Sequence, residues 1–350
     1  MRGIIPRRPT LCTRCLLSLR RAYGTTLPPQ PPRSGIARLT NRRLVSLHGP
    51  DAPKFLFGLT TNNLHPSWTS GWYSAFLTAQ GRVLWDVFIY PTSCTGKGRD
   101  EGDWSCFIEV DAGEVESLVK HLKRHKLRSK VTIRAVDEGE WSVFAAWDDF
   151  ARTLEALAQT GMPDSLTETD IPTYTLRRYL HGIPEGQAEI LRESALPQES
   201  DIDFMNGIDF KKGCYVGQEL TIRTHHTGVV RKRILPVQLY DASDAAPEEL
   251  AYREDWAGGV ALTGANIKKA QGKVRSAGKF LAGVGNVGLG LCRLEMMTDV
   301  QLTAEGGTYK PGDEFEVDAQ EGEKRIRIKP FIPGWMKDRL QIREAPRRVE

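Results

Sequence analysis

The chain reads as an α+β protein, a mixed region of strands and helices followed by a small antiparallel β-barrel. Three observations predict this. Between Leu44 and Tyr179, alternating runs and three-to-four-spaced runs interleave without the regular repeat of a parallel sheet. From Val229 onward the runs are short and β-rich, separated by Gly, Asp and Pro. The 350 residues are 40% hydrophobic and 26% charged, enough to bury the cores of about two or three compact units. No apolar run approaches the ~18 residues of a membrane span. The expected organisation is a presequence and linker over 1–35, the α+β region over 36–224, the barrel over 225–335 and a tail over 336–350.

Residues 1–50 contain ten arginines and no acid, the signature of a mitochondrial transit peptide. Leu11, Leu16, Leu17 and Leu19 among Arg14, Arg20 and Arg21 suit a short amphipathic helix, and Arg21-Ala22-Tyr23 resembles a matrix-processing site. Those arginines exceed the whole net charge of +4, so the remaining chain is mildly acidic. That balance argues against a general nucleic-acid binder. Cleavage after Tyr23 would remove Cys12 and Cys15, leaving Cys94, Cys106, Cys214 and Cys292 without ligand spacing. A reducing matrix suits free thiols better than disulfides.

Past the proline-rich connector Leu27 to Ser34, Asp51 reads as an N-cap, Pro53 suits a first helical turn, and Phe55, Leu56 and Leu59 form an apolar face. Trp72 to Thr78 and Arg82 to Tyr90 alternate around Gln80-Gly81, a hairpin. Ser93 to Asp103 lacks P-loop spacing and reads as a surface insertion. Trp104 to Val110 is a strand, followed by a helix with Val115, Leu118, Val119 and Leu122 inward. Its charged end, Lys123 to Lys130, is either a solvated face or a site for an acidic partner. Val131 to Val136 and Trp141 to Trp147 read as strands, Phe150 to Ala158 as a helix, and Tyr174 to Tyr179 as a strand running into a tight turn at His181 to Gly186. In the barrel, Arg231-Lys232-Arg233 reads as an exposed edge strand. Phe331, Ile332 and Trp335 are placed to dock the tail.

The stretch Leu196 to Thr227 carries the chemistry, centred on Cys214. Lys211, Lys212 and Gly213 precede this cysteine, and Gly217 opens a helix-like GQELTIR segment. Cations and a helix N-terminus both favour a thiolate; the alternative is a small buried hydrophobe. Gln218, Glu219 and Arg223 are placed to brace the turn, while His225 and His226 are either additional ligands or polar residues at an exposed helix end.

Lys212-Gly213-Cys214-Tyr215-Val216-Gly217-Gln218-Glu219 resembles the folate-binding relatives of the glycine-cleavage aminomethyltransferase, in their mitochondrial iron-sulfur cluster assembly branch. Weaker pieces follow in family order: Gly49-Pro50-Asp51-Ala52, Thr61-Asn62, Gln80-Gly81-Arg82 with Asp86, Gly182-Ile183-Pro184 and Leu196-Pro197-Gln198-Glu199. The resemblance implies ferredoxin-like α+β halves around a central cavity, then a small antiparallel β-barrel, with Cys214 beside the cavity. Lys212, Gly213, Tyr215, Gly217, Gln218, Glu219, Asp86 and Arg178 are the implied binding residues. Two departures stand out. Trp85-Asp86 replaces a pair of acids, and Arg178-Tyr179-Leu180-His181-Gly182 has leucine where a glutamate holds the pterin.

The expected function is therefore late assembly or insertion of 4Fe-4S clusters into apoproteins of the mitochondrial matrix. Cys214 would transiently ligate a 2Fe-2S or 4Fe-4S cluster shared with an A-type carrier protein, because one local cysteine cannot hold a stable cluster. No stable metal is expected. One alternative is a one-carbon transferase using tetrahydrofolate, with Asp86 serving in proton transfer or electrostatic stabilisation. The other is a non-catalytic adaptor between carrier and target, working through the Lys123 to Lys130 face.

Overall fold

Runs that alternate in sequence become strands with one inward face. The computed structural model describes residues 2–6, 27–64, 70–92, 104–149, 166–256, 262–271, 276–303, 307–318 and 325–341. The chain forms two compact units, neither contiguous in sequence: residues 1–52, 67–71 and 89–174, and residues 53–66, 72–88 and 175–350. The expected helix at Phe150 to Ala158 and the insertion at Ser93 to Asp103 lie outside the described residues.

In the first unit, strand β3 (Arg42–His48) runs antiparallel between β6 (Ser105–Asp111) and β7 (Thr132–Ala135), in register from Arg42 opposite Asp111 and from Val45 opposite Ala135. Helix α2 (Val115–His125) turns Val115, Leu118 and Leu122 inward at the predicted spacing and packs on β3 and β7. Lys123, Arg124 and His125 fill its last turn, where the dipole favours cations. A second sheet has the order β1 (Arg2–Pro6), β8 (Trp141–Asp148), β2 (Ser34–Arg38), β9 (Thr167–Thr169), with only β2 and β9 parallel. Arg2–Pro6 belong to the stretch expected as presequence; residues 7–26 lie outside the described residues. One charge pair is fully buried here. Arg42 Nε donates to Glu109 Oε1 at 2.8 Å and the Tyr90 hydroxyl to Glu109 Oε2 at 2.5 Å. Both carboxylate oxygens are thus bound, which offsets the desolvation that such a pair suffers. Asp51 precedes α1 (Ala52–Phe57) as expected, but its carboxylate accepts the Lys130 N–H at 2.6 Å.

In the second unit, β4 (Trp72–Leu77) and β5 (Val83–Pro91), whose last three residues belong to the first unit, flank the predicted turn; the Thr78 N–H donates to Arg82 O at 2.8 Å, and Gly81 takes φ +79°. Between Val229 and the C-terminus, β10 (Lys232–Asp241), β11 (Asn266–Lys269), β12 (Ser276–Val284), β13 (Val287–Arg293), β14 (Phe315–Val317) and β15 (Ile326–Pro330) close into a barrel of order β10-β13-β12-β11-β14-β15. Closure leaves no free edge, and Leu235, Val237, Leu239, Ile267, Phe280, Phe315 and Ile328 fill one core. A short helix α5 (Leu294–Met297) follows β13. The tail docks as helix α6 (Gly334–Gln341), burying Met336 and Leu340 in the same core, and Trp335 Nε1 donates to His181 O at 2.8 Å.

Two expectations are corrected. Tyr174 to Tyr179 is not a strand but the middle of helix α3 (Ile171–His181). The Asp170 carboxylate caps it by accepting the Thr173 N–H at 2.9 Å, and Pro172 sits in the first turn, where no partner for its missing N–H is needed. Its end is equally specified. Gly182 adopts φ +68°, its N–H bonds Tyr179 O, and the Ile183 N–H bonds Arg178 O, a Schellman closure. Nor is Arg231 to Arg233 an exposed edge. Arg233 is buried; its guanidinium donates to both oxygens of Asp203 at 2.8 and 3.0 Å, to Asp201 at 3.0 Å and to Gln198 O at 2.7 Å, over the Phe204 ring. Charged neighbours distant in sequence turn a solvent-like residue inward.

Candidate functional site

The Cys214 turn is built from backbone bonds to one short segment. The Asp209 N–H donates to Thr61 O at 3.1 Å, and the Val216 N–H to Gly58 O at 3.0 Å. Thr61 Oγ1 donates to Gly207 O at 2.7 Å and Asn62 Nδ2 to Asn206 O at 2.7 Å. Gly217 then enters the left-handed region, φ +82°, as N-cap of helix α4 (Gln218–Thr227). A Cβ on Gly217 would lie 2.3 Å from Thr78 O, and one on Gly81 would lie 3.0 Å from Gly217 O. Only glycine permits this approach. Three pieces scattered in sequence, Thr61-Asn62, Gln80-Gly81 and Lys212 to Gly217, are thereby brought together.

Cys214 is free and exposed, whereas Cys106 and Cys292 are buried. Burial pushes both of those thiols above their ordinary range, which keeps them protonated and unreactive. The nearby side chains divide into bracing and solvated ones. Gln218 Oε1 accepts the Tyr215 N–H at 3.1 Å, as a brace should. Glu219 and Arg223 are exposed. The His225 ring stacks on Phe210 with centroids 3.6 Å apart, and His226 meets His225 edge-on at 5.1 Å. Among the described residues, no three His, Cys, Asp or Glu side chains converge as a metal site.

Lys212 does not direct its charge at the thiol through a hydrogen bond. Its Nζ donates to Phe57 O, Thr60 O and Asn62 O at 2.7, 2.6 and 2.9 Å, which uses all three N–H bonds of an ammonium. Nζ also lies 4.4 Å from the Phe57 ring centroid and 4.9 Å from that of Tyr215. Burial pulls its pKa down to about 8, opposed by the Asp209 carboxylate. The Tyr215 hydroxyl is pushed up to about 12, first by burial and then by Asp209.

Asp86 and Arg178 form a second cluster around the Gly182 to Gln187 turn. Asp86 Oδ1 accepts Gly186 N–H at 3.1 Å and Gln187 Nε2 at 3.4 Å. From α3, Arg178 grips Glu189 with two bonds of 2.7 and 2.8 Å, donates to Ile183 O at 2.8 Å, and lies 3.6 Å from Glu185. The Tyr179 hydroxyl and the Glu185 N–H also donate to Glu189. Burial above all, reinforced by Glu189, raises the Tyr179 pKa, keeping the phenol a donor. Glu189 and Phe57 were not singled out from the sequence. A buried arginine requires a carboxylate, but its spacing to Glu189 carries no local signature.

Comparison with known proteins adds identity to this geometry. Residues 231–338 match a family model described as CAF17, C-terminal beta-barrel domain. A protein of Aspergillus fumigatus named iron-sulfur cluster assembly factor IBA57 homolog, mitochondrial, is 44% identical, over 97% of this chain and 93% of that protein. Proteins of the same name from Coccidioides immitis and Neurospora crassa are 46% and 44% identical, over 94% and 92% of this chain and 91% and 86% of those proteins. Among solved structures, the glycine cleavage system aminomethyltransferase T of Bartonella henselae superposes with TM-score 0.56 at 12% identity, covering 86% of each chain. That likeness establishes the fold alone.

Proposed function

The chain belongs to the mitochondrial IBA57 family of iron-sulfur cluster assembly factors, and from that premise we propose that it acts in the matrix at a late step. It helps assemble or insert 4Fe-4S clusters into apoproteins, with Cys214 completing a transient cluster site shared with an A-type carrier. The observation that carries this reading is the exposure of Cys214 on a turn anchored by its neighbours, while Cys106 and Cys292 are buried. Iron in such clusters is held by thiolates, generally four per cluster. A single exposed thiol among the described residues suits a shared ligand, with the carrier supplying the others; the cluster is cargo.

The residues expected to hold folate fit that task poorly. Arg178 is committed to Glu189 and Glu185, Asp86 Oδ1 accepts from the Gly186 to Gln187 turn, and Leu180 stands where a pterin-holding acid is required. A buried ring site lacking its acceptor discriminates strongly against the ligand.

The test mixes purified protein with reduced, cluster-loaded carrier and follows cluster spectra and complex formation, native chain against Cys214→Ser. Loss of handover in the serine variant is expected; full retention overturns the shared-ligand reading in favour of an adaptor. Titration with tetrahydrofolate is expected to give no saturable binding, and methylene transfer would restore the one-carbon alternative.

A further inference from the structure

We propose that Lys212 is the positioning residue of Cys214: its ammonium clamps the thiol turn onto the Phe57 to Asn62 segment and thereby fixes where the thiol meets an incoming cluster. This rests on the shared-ligand reading above and adds to it the device that holds the ligand in place.

The geometry is that of an arch. One foot is Lys212, whose Nζ reaches Phe57 O, Thr60 O and Asn62 O; the other is Val216, whose N–H reaches Gly58 O. Both feet stand on the same six residues of chain, Phe57 to Asn62. Gly213 lies against Phe57, where an added Cβ would sit 3.3 Å from the ring, and Cys214 is the exposed span between the feet. The carbonyls that Lys212 reaches lie at and just beyond the end of α1, where helix carbonyls lack intrahelical partners and the dipole is negative. Lys212 therefore ties the thiol turn to the end of α1 and to the residues that follow it.

The residue type fits this role and no simpler one. Filling the space between Phe57 and Tyr215 calls only for an apolar side chain, such as methionine, without the desolvation an ammonium suffers there. Burial does weaken the amine's hold on its proton, so the lysine carries a cost that packing alone does not require. What methionine cannot supply is three donors converging on three carbonyls from one atom. Arginine cannot supply it either, because its donors lie in a planar fork. Of the titratable groups around Nζ, Asp209 is the one whose charge is seen to act on it, and Tyr215, raised to about 12, remains neutral near pH 7.

The experiment compares the full chain with Lys212→Met and Lys212→Arg by amide exchange at pH 7 and by handover from a carrier loaded with a 2Fe-2S cluster. Exchange at Asp209 and Val216 in Lys212→Met is expected to rise roughly tenfold or more, the scale of losing a hydrogen bond to a charged group. Barrel amides in β10 should be unchanged. The carrier concentration giving half-maximal handover should rise by a similar factor while the saturated rate changes less, a split that uniform destabilisation would not produce. Lys212→Arg should be intermediate. Unchanged exchange at Asp209 and Val216, or raised exchange with unchanged half-maximal concentration, overturns the proposal. If the methionine variant loses barrel protection, the arginine variant decides, and behaviour identical to the native chain overturns it. Cys214→Ser tests the shared-ligand reading separately. Retained handover there defeats the ligand role, and the exchange data still report whether Lys212 holds the turn.

Discussion

At the scale of single residues, the Cys214 turn depends on close backbone approach. Gly217→Ala would force a left-handed alanine and a Cβ 2.3 Å from Thr78 O. The expected loss is about 1–3 kcal/mol, read from the urea midpoint, with lower handover because the turn must shift. Lys212 yields a pH prediction. Its folded pKa of about 8 lies below the ordinary 10.5, so across that window the unfolded chain holds the proton more often. Stability contributed at this position therefore rises with pH between those values and is flat below them. The stability difference between the native chain and Lys212→Met should show that slope, while a flat difference from pH 7 to 11 would contradict it. Cys214 stands out in the sequence because a rare residue lies in a specific motif. The task of Lys212 does not, since the adjacent thiol suggests a partner and the carbonyls it reaches are some 150 residues away.

Secondary elements were legible where periodicity and caps agreed. Helix α2 and the β4–β5 hairpin follow their spacing and turn residues directly. Helix α3 shows the opposite case, because Tyr174, Leu176 and Arg178 mimic strand alternation while the decisive signals lie at its ends, in Asp170, Pro172 and Gly182. Asp170→Ala should lower stability by about 1 kcal/mol through loss of the cap, measured by chemical denaturation; no change would mean the helix is held by packing alone. In β10 the misread residue is Arg233, since charge predicts exposure unless distant acids pair with it. Asp203 takes two bonds from Arg233 and Asp201 one, while burial raises the Asp201 carboxyl pKa with Arg233 opposing. Asp203→Ala should therefore cost about 3–5 kcal/mol, the range for stranding a buried charge, whereas a loss below about 1 kcal/mol would show that Asp201 alone suffices.

At the scale of the whole molecule, fold class followed from composition and run lengths, because barrel strands separated by turn residues announce themselves locally. The division into units did not. Each unit gathers segments that the other interrupts, and only long-range packing decides which segments belong together. The N-terminus joins both levels. Residues 1–50 carry a presequence signature, yet Arg2–Pro6 pair antiparallel with Trp141–Ala145 of β8, whose other neighbour is β2. Removal of residues 1–23 on import would turn β8 into an edge strand, and edge amides lose their ladder partners to water. A chain beginning at Gly24 is therefore expected to exchange those amides of Trp141 to Ala145 that face β1 faster than the full chain does, with the β3–β6 ladder unchanged. Equal exchange in the two chains would mean that Arg2–Pro6 contribute no protection to β8, and a mature mitochondrial protein that retains Arg2 would mean that β1 stays in place after import.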